Sequence, residues 1–301
     1  MKRIVILLSI GSLLYGNFAL DYINTLRSKS GLKRLQYSPL LEKAARYHAK
    51  YLALNNALSH YESRYKPGFF GEYPWDRVIK AGFGTRVAVE NISFYERNFK
   101  SSIDKLMGTV YHRLAFLDFR VDSIGFSAYK GRYVYDMSNA KIATLCKKKT
   151  AQSSYGVEGL CKNPNKTLAQ NLYNKAILST LAKSQKVSLY PYKNQRGVPL
   201  RLVEERPIFL YGSSFGFPIT ARFNNYYLNR VTLRSFELYK NNQKVPSKVV
   251  TKSNDLQAKI DDFTFVLVPL APLQRKTSYK AVLRVKEDGK NRSYSWRFTT
   301  K

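Results

Sequence analysis

Two cysteines, three histidines and 20 acidic residues among 301 are what this chain has least of. A cysteine-only zinc site needs four thiolates, so two sulfurs exclude it. The histidines are His48, His60 and His112, so imidazole chemistry is confined to the first part of the chain. After residue 14 no apolar run approaches the ~20 residues that cross a bilayer, and no span is expected in the mature form. There is no His-Glu-x-x-His helix, no zinc-finger spacing, no Gly-rich aromatic RNA-binding motif and no basic heptad region. A specific nucleic-acid reader is therefore not expected. Acids are so scarce that 51 Lys+Arg leave a formal net charge of +31. A surface of that sign attracts polyanions.

What is present begins with Met1-Lys2-Arg3, an apolar run from Ile4 to Leu14, and Tyr15-Gly16-Asn17-Phe18-Ala19. Basic, apolar and small-residue zones in that order are those of a signal peptide, expected over 1–19 with cleavage after Gly16 or Ala19. The expected location is periplasmic or secreted, and the expected partners are anionic envelope polymers or acidic lipids. Outside the cytoplasm a lone pair such as Cys146 and Cys161 is expected as a disulfide, worth ~3 kcal/mol in the chain-entropy model. The alternative is two unrelated thiols. With 44% hydrophobic and 14% aromatic residues, the chain can fill two cores.

Apolar residues at helical spacing predict a first helix from Ala19 that closes at Gly31, and a second opened by Ser38-Pro39 and running to Asn55-Asn56. A short piece follows over Trp75–Ala81, stopped by Gly82, and another capped by Ser101 or Ser102. The period then becomes two: Ile124–Ala128 and Tyr133–Tyr135 flank Lys130-Gly131 as a hairpin. Helices before strands predict an α+β domain over 20–140. Residues 141–188 read as a connector holding the cysteine pair and one helix near Leu168–Leu181.

Over 189–301 helical signals vanish. Short alternating runs at Ile208–Tyr211, Phe236–Tyr239, Phe263–Val268, Tyr279–Val285 and Tyr294–Phe298, with turns at Asn241-Asn242 and Asp288-Gly289, predict an all-β immunoglobulin-like sandwich. Gly212-Ser213-Ser214-Phe215-Gly216 matches a nucleophile-elbow pattern, yet no histidine follows residue 112 and the segment lies among strands. It reads as a turn.

Several short motifs in order carry a resemblance: the helix with His48, Ser59-His60, Gly71 with Pro74-Trp75-Asp76-Arg77, Ala81-Gly82-Phe83, Glu90-Asn91, His112-Arg113 and Ile124-Gly125. Together they resemble the bacterial branch of the CAP superfamily of SCP-like extracellular proteins. The resemblance implies an α-β-α sandwich with a central cleft in which His60, Glu90 and His112 face one another. Val89 replaces the glycine of the family's Gly-Glu-Asn motif, and Thr109 falls where animal and plant relatives carry a second glutamate. The trio is expected to be either a ligand or cation site, zinc being the natural divalent ion, or a hydrogen-bonded group that fixes the cleft. His48 is expected to pack in the core, Glu62 to be a solvated loop charge, and Arg113 to pair with an acid such as Asp118. The functional expectation is a non-catalytic binding protein with a cleft for a lipid, glycan or other envelope ligand. The alternative is a metal-assisted hydrolase using His60, Glu90 and His112.

Overall fold

The computed structural model describes residues 18–203 and 214–301. All but the last two residues of the expected signal segment, the expected strand at 208–211, and residues 212 and 213 of the Gly-x-Ser-x-Gly match lie outside the described residues. In chain order the described elements are α1 (18–29), β1 (Gln36–Tyr37), α2 (Pro39–Leu54), α3 (Pro74–Ala81), β2 (Val89–Phe94), α4 (Phe99–Gly108), α5 (Tyr111–Phe116), β3 (Ser123–Tyr129), β4 (Arg132–Ser138) and α6 (Ala140–Lys147). There follow β5 (Gly156–Val157), β6 (Leu168–Ala169), α7 (Gln170–Leu181), β7 (Val187–Tyr190), β8 (Gln195–Val198), β9 (Ile219–Phe223) and β10 (Val231–Lys240). The last five are β11 (Gln243–Val245), β12 (Ser247–Val250), β13 (Thr264–Pro269), β14 (Ser278–Glu287) and β15 (Lys290–Thr300). Two compact units result. The first takes the described residues up to Ser28, Lys33–Asp104 and Arg120–Thr180; the second takes Lys29–Leu32, Lys105–Phe119 and the described part of Leu181–Lys301.

In the first unit a mixed sheet of order β1-β3-β4-β2 lies between helices. Helix α2 starts as its sequence predicts, with the Ser38 hydroxyl accepting from the Leu41 N–H and Pro39 in the first turn. Its buried stripe runs through Leu41, Ala44, Ala45, His48, Ala49, Tyr51 and Leu52, and the small alanines let it lie close to the sheet. Alternation along β4 places Val134 on the α2 face, with Ala45, Ala49 and Leu52. Tyr133 and Tyr135 take the other face. There Phe99 of α4 meets the Phe126 ring at 5.4 Å and the Tyr133 ring at 5.2 Å, and the Tyr135 hydroxyl donates to Ser102 Oγ at 2.7 Å. Ser102 is thus an interior residue rather than a cap. Helix α4 is opened one turn earlier, by Asn98, whose Oδ1 accepts from the Ser101 N–H at 2.9 Å.

Gly125 decides how near α2 can come. A Cβ there would stand 1.9 Å from the Glu42 nitrogen and 2.3 Å from the Leu41 carbonyl carbon. Residues 140–180 add to this unit a small core of Ile142, Ala151, Leu168 and Ala176, into which the Cys146–Cys161 disulfide is packed. The expected disulfide is present.

The second unit carries two sheets, of order β11-β10-β14-β15-β8 and β12-β13-β9-β7. Their pairings are antiparallel except β8 with β15. The turns are the predicted ones: Asn241 and Asn242 have φ of 47° and 63°, Asp288 and Gly289 of 42° and 90°, the positive pair that a tight hairpin requires. Phe223 of β9 lies 5.7 Å from the Tyr294 ring of β15, joining the two sheets. Phe215, Val250, Ile260, Val266, Val268 and Val110 form a core with Tyr111 and Leu114 of α5 packed against it. Gly216 makes an antiparallel bridge to Arg201, so the end of the Gly-x-Ser-x-Gly match is strand-like.

Candidate functional site

Glu90 on β2 and Asp136 on β4 are direct cross-strand partners, and Gly125 on β3 completes their row. Two acids face to face in a buried sheet repel each other unless cations or a proton intervene. Both occur here. Arg77 of α3, fully buried, donates through one terminal nitrogen to Glu90 Oε2 at 2.8 Å and to the His60 carbonyl oxygen at 3.0 Å. Its other terminal nitrogen donates to the Gly71 carbonyl oxygen at 3.0 Å, and its Nε stands 3.8 Å from Glu62 Oε1. The His60 Nδ1–H donates to Glu90 Oε1 at 2.7 Å.

His48 closes the cluster from α2. Its Nδ1 lies 2.8 Å from Glu62 Oε1, its Nε2 3.1 Å from the Ser59 carbonyl oxygen and 3.7 Å from Glu90 Oε1. All three neighbours are acceptors, so the ring acts as a hydrogen-bond donor within the cluster. Glu62 Oε2 accepts from the Phe70 and Gly71 N–H groups at 2.6 and 3.2 Å. The expectation of a solvated Glu62 is therefore corrected. Its side chain is wholly buried, because the loop folds back over it and supplies backbone donors.

Burial works against an ionised Glu90, yet the charges of His48 and Arg77 and the hydrogen bond from His60 hold its carboxyl well below the usual range. Asp136 moves the other way. Burial raises it first, the Glu90 charge raises it further, and Arg77 offsets only part. Neither Asp136 oxygen accepts a hydrogen bond, and a protonated Asp136 can donate to Glu90. A neutral Asp136 carboxyl, which burial and the Glu90 charge favour, relieves the repulsion across the strands.

His60 is the exposed member, its side chain 41% accessible, whereas those of His48, Glu62, Arg77 and Glu90 are at most 1% accessible. The next residue, Tyr61, begins a set of rings: it meets Tyr73 edge-on at 5.1 Å, and Tyr73 stacks on Trp75 at 4.6 Å. Tyr61 is 59% exposed. His112 belongs to the second unit, where its Nδ1 lies 3.0 Å from the Thr109 hydroxyl. Among the described residues no group of three or more His, Cys, Asp or Glu side chains is placed to hold a metal ion. Glu90 has both oxygens engaged by nitrogen donors, so its donor set does not fit a resident cation. Arg113, also in the second unit, donates to the Met107 and Pro218 carbonyl oxygens and lies over the Tyr190 and Phe217 rings at 4.8 and 4.7 Å.

His60 and Glu90 are brought together as the sequence implied. Arg77 and Asp136 join them only through the tertiary structure. The sequence signals for them are faint: an arginine in the first turn of a short proline-led helix, and one acid within the run Tyr133-Val134-Tyr135-Asp136-Met137.

A helix–sheet–helix layer with a buried ion cluster beneath one exposed histidine defines the class. The chain belongs to the CAP, or cysteine-rich secretory protein, family, whose model matches residues 20–175. Among solved structures it is similar to an extracellular protein containing a SCP domain from Bacillus anthracis str. Ames, at 22% identity and a TM-score of 0.38, over 41% of this chain and 40% of that one. An outer surface protein from Borrelia burgdorferi matches at 20% identity and a TM-score of 0.35, over 40% of this chain and 90% of that one. A cysteine-rich secretory protein from Staphylococcus aureus matches at 16% identity and a TM-score of 0.28, over 42% and 38%. The chain thus covers less than half of the Bacillus and Staphylococcus proteins. No curated protein matches.

Proposed function

We propose that this is an exported, non-catalytic binding protein whose first unit takes a sugar ring of an envelope glycan at His60 and the Tyr61–Tyr73–Trp75 rings. The observation that carries the reading is the contrast within the cluster. Glu90 and Arg77, the charged groups able to do chemistry, are locked to one another in the interior, and only His60 reaches solvent beside partly exposed aromatic faces. Aromatic faces with a few oriented polar groups bind and orient a ligand. Export is supported by the signal-like start and by a disulfide, which persists in oxidising compartments. The basic surface draws the protein to anionic envelope polymers.

An immunoglobulin-like reading of the second unit is supported by strand order. Its sheets run β12-β13-β9-β7 and β11-β10-β14-β15-β8, as in a sandwich whose first strand divides between sheets. It serves as a spacer and contact module.

The test is calorimetric titration of the full chain with an isolated, unphosphorylated envelope glycan. Tyr61→Ala combined with Trp75→Ala is expected to weaken binding at least about tenfold, as aromatic anchors do. The glycan should be recovered uncleaved. Unchanged affinity in the double variant, or glycan turnover, removes the reading.

A further inference from the structure

The five-stranded sheet of the second unit carries a cavity of about 550 Å³ lined by Arg234, Arg284, Val285, Asn291, Arg292 and Ser293. Its guanidinium-bearing residues come from three neighbouring strands, β10, β14 and β15, with Arg284 opposite Ser293 and Arg292 opposite Val285 in the register. Arg234 stands where the β10–β14 register shifts between Leu233 and Ser235, and a bulge of this kind re-aims a side chain. A neighbouring cavity of about 320 Å³ shares Arg284 and Ser293 and adds Lys280.

Of the three arginines only Arg284 has a carboxylate partner among the described residues. Glu237 is engaged by Lys244 at 2.7 Å and by Arg284 at 2.9 Å. Its carboxyl is held low chiefly by the Lys244 hydrogen bond, against its own partial burial. Arg234 and Arg292 make no ion pair among the described residues. Like charges such as Arg234 and Arg292 repel one another, and an anionic guest relieves that repulsion.

We infer that this cavity is an anion site for the phosphate-ester group of a glycan. Guanidinium forks match pairs of phosphate oxygens, and the two without a carboxylate partner, Arg234 and Arg292, suit a doubly charged ester better than a single carboxylate. The Asn291 amide and Ser293 hydroxyl add neutral donors. The volume exceeds that of a bare phosphate and leaves room for the attached sugar. The inference rests on the proposed affinity for anionic envelope material and names where in the chain it resides.

The experiment uses the full chain at physiological salt. Its probes are phosphorylated mannan, unphosphorylated mannan, inorganic phosphate as competitor, and phosphatidylglycerol vesicles. Arg234→Gln with Arg292→Gln is compared with Lys50→Gln and Lys162→Gln, two exposed lysines of the first unit that remove the same charge. The arginine pair is expected to weaken phosphorylated-mannan binding at least about tenfold and to flatten its salt dependence, and the lysine pair to change it less than about twofold. Inorganic phosphate should compete. Asn291→Asp, which sets an acid in the cavity without removing an arginine, should weaken binding similarly. Equal losses in the two pairs overturn the site while leaving general polyanion affinity standing. No binding by the unaltered chain overturns both. Arginine-dependent vesicle binding without mannan binding overturns the glycan assignment.

Discussion

Asp136 and Glu90 face each other across neighbouring strands, and the two acids respond to pH in opposite senses. Asp136 keeps its proton well above the ordinary carboxyl value of 3.8, so the unfolded chain releases that proton first and stability falls as pH rises from there. Glu90 is held below its ordinary 4.5, so its contribution is present above that value and is lost as pH falls through it. Asp136→Asn supplies a permanent donor to Glu90 and removes the first dependence. Measured by denaturation between pH 5 and 8, the variant is expected to gain on the unaltered chain by up to about 1.4 kcal/mol per pH unit while the proton is retained. A constant difference across that range would rule out the retained proton. Glu62→Ala removes the acceptor of two backbone N–H groups and the partner of His48. A loss of about 3–5 kcal/mol is expected in chemical denaturation, the cost of leaving buried charge unpaired.

Between elements, the contact of α2 with β3 depends on a missing side chain. Gly125 lies in the row of Asp136 and Glu90, and a methyl group there would enter the backbone of α2. A rigid backbone gives way less easily than a side chain. Gly125→Ala is expected to cost about 3 kcal/mol or more and to disturb the hold of His48 on Glu62. Gly159→Ala is the companion: its φ is +73° with nothing within 4 Å, so only backbone strain of about 1–2 kcal/mol arises. Comparable losses at the two sites, read from thermal midpoints, would remove close approach as the reason for Gly125.

For the whole molecule, the +31 charge and the disulfide act over different ranges. The charge is spread along the sequence and screened by salt beyond about 10 Å, so it governs encounter with polyanions more than folding. The disulfide acts within the first unit, where it closes a separation of 15 residues in the small core beside α6 and α7. Cys146→Ser with Cys161→Ser is expected to destabilise that unit by about 3 kcal/mol, visible as a lower first transition in calorimetry and reproduced by reductant. An unchanged transition would mean that the core there holds without it.

Local rules carried the helices and hairpins. The Ser38-Pro39 start, the apolar stripe of α2, Gly31 and Gly82 as stops, and the paired positive-φ turns were legible because each depends on residues within a turn or two. Motif order also made the family and the His60–Glu90 pair readable. Tertiary structure alone decided that Asp136 meets Glu90, that Arg77 reaches both Glu90 and the His60 carbonyl, and that Glu62 is interior. Each of these depends on strand register and on how a loop closes over a helix, and burial is what turns an ordinary acid into a proton holder. Nothing adjacent in the sequence to Asp136 or Glu62 encodes that environment.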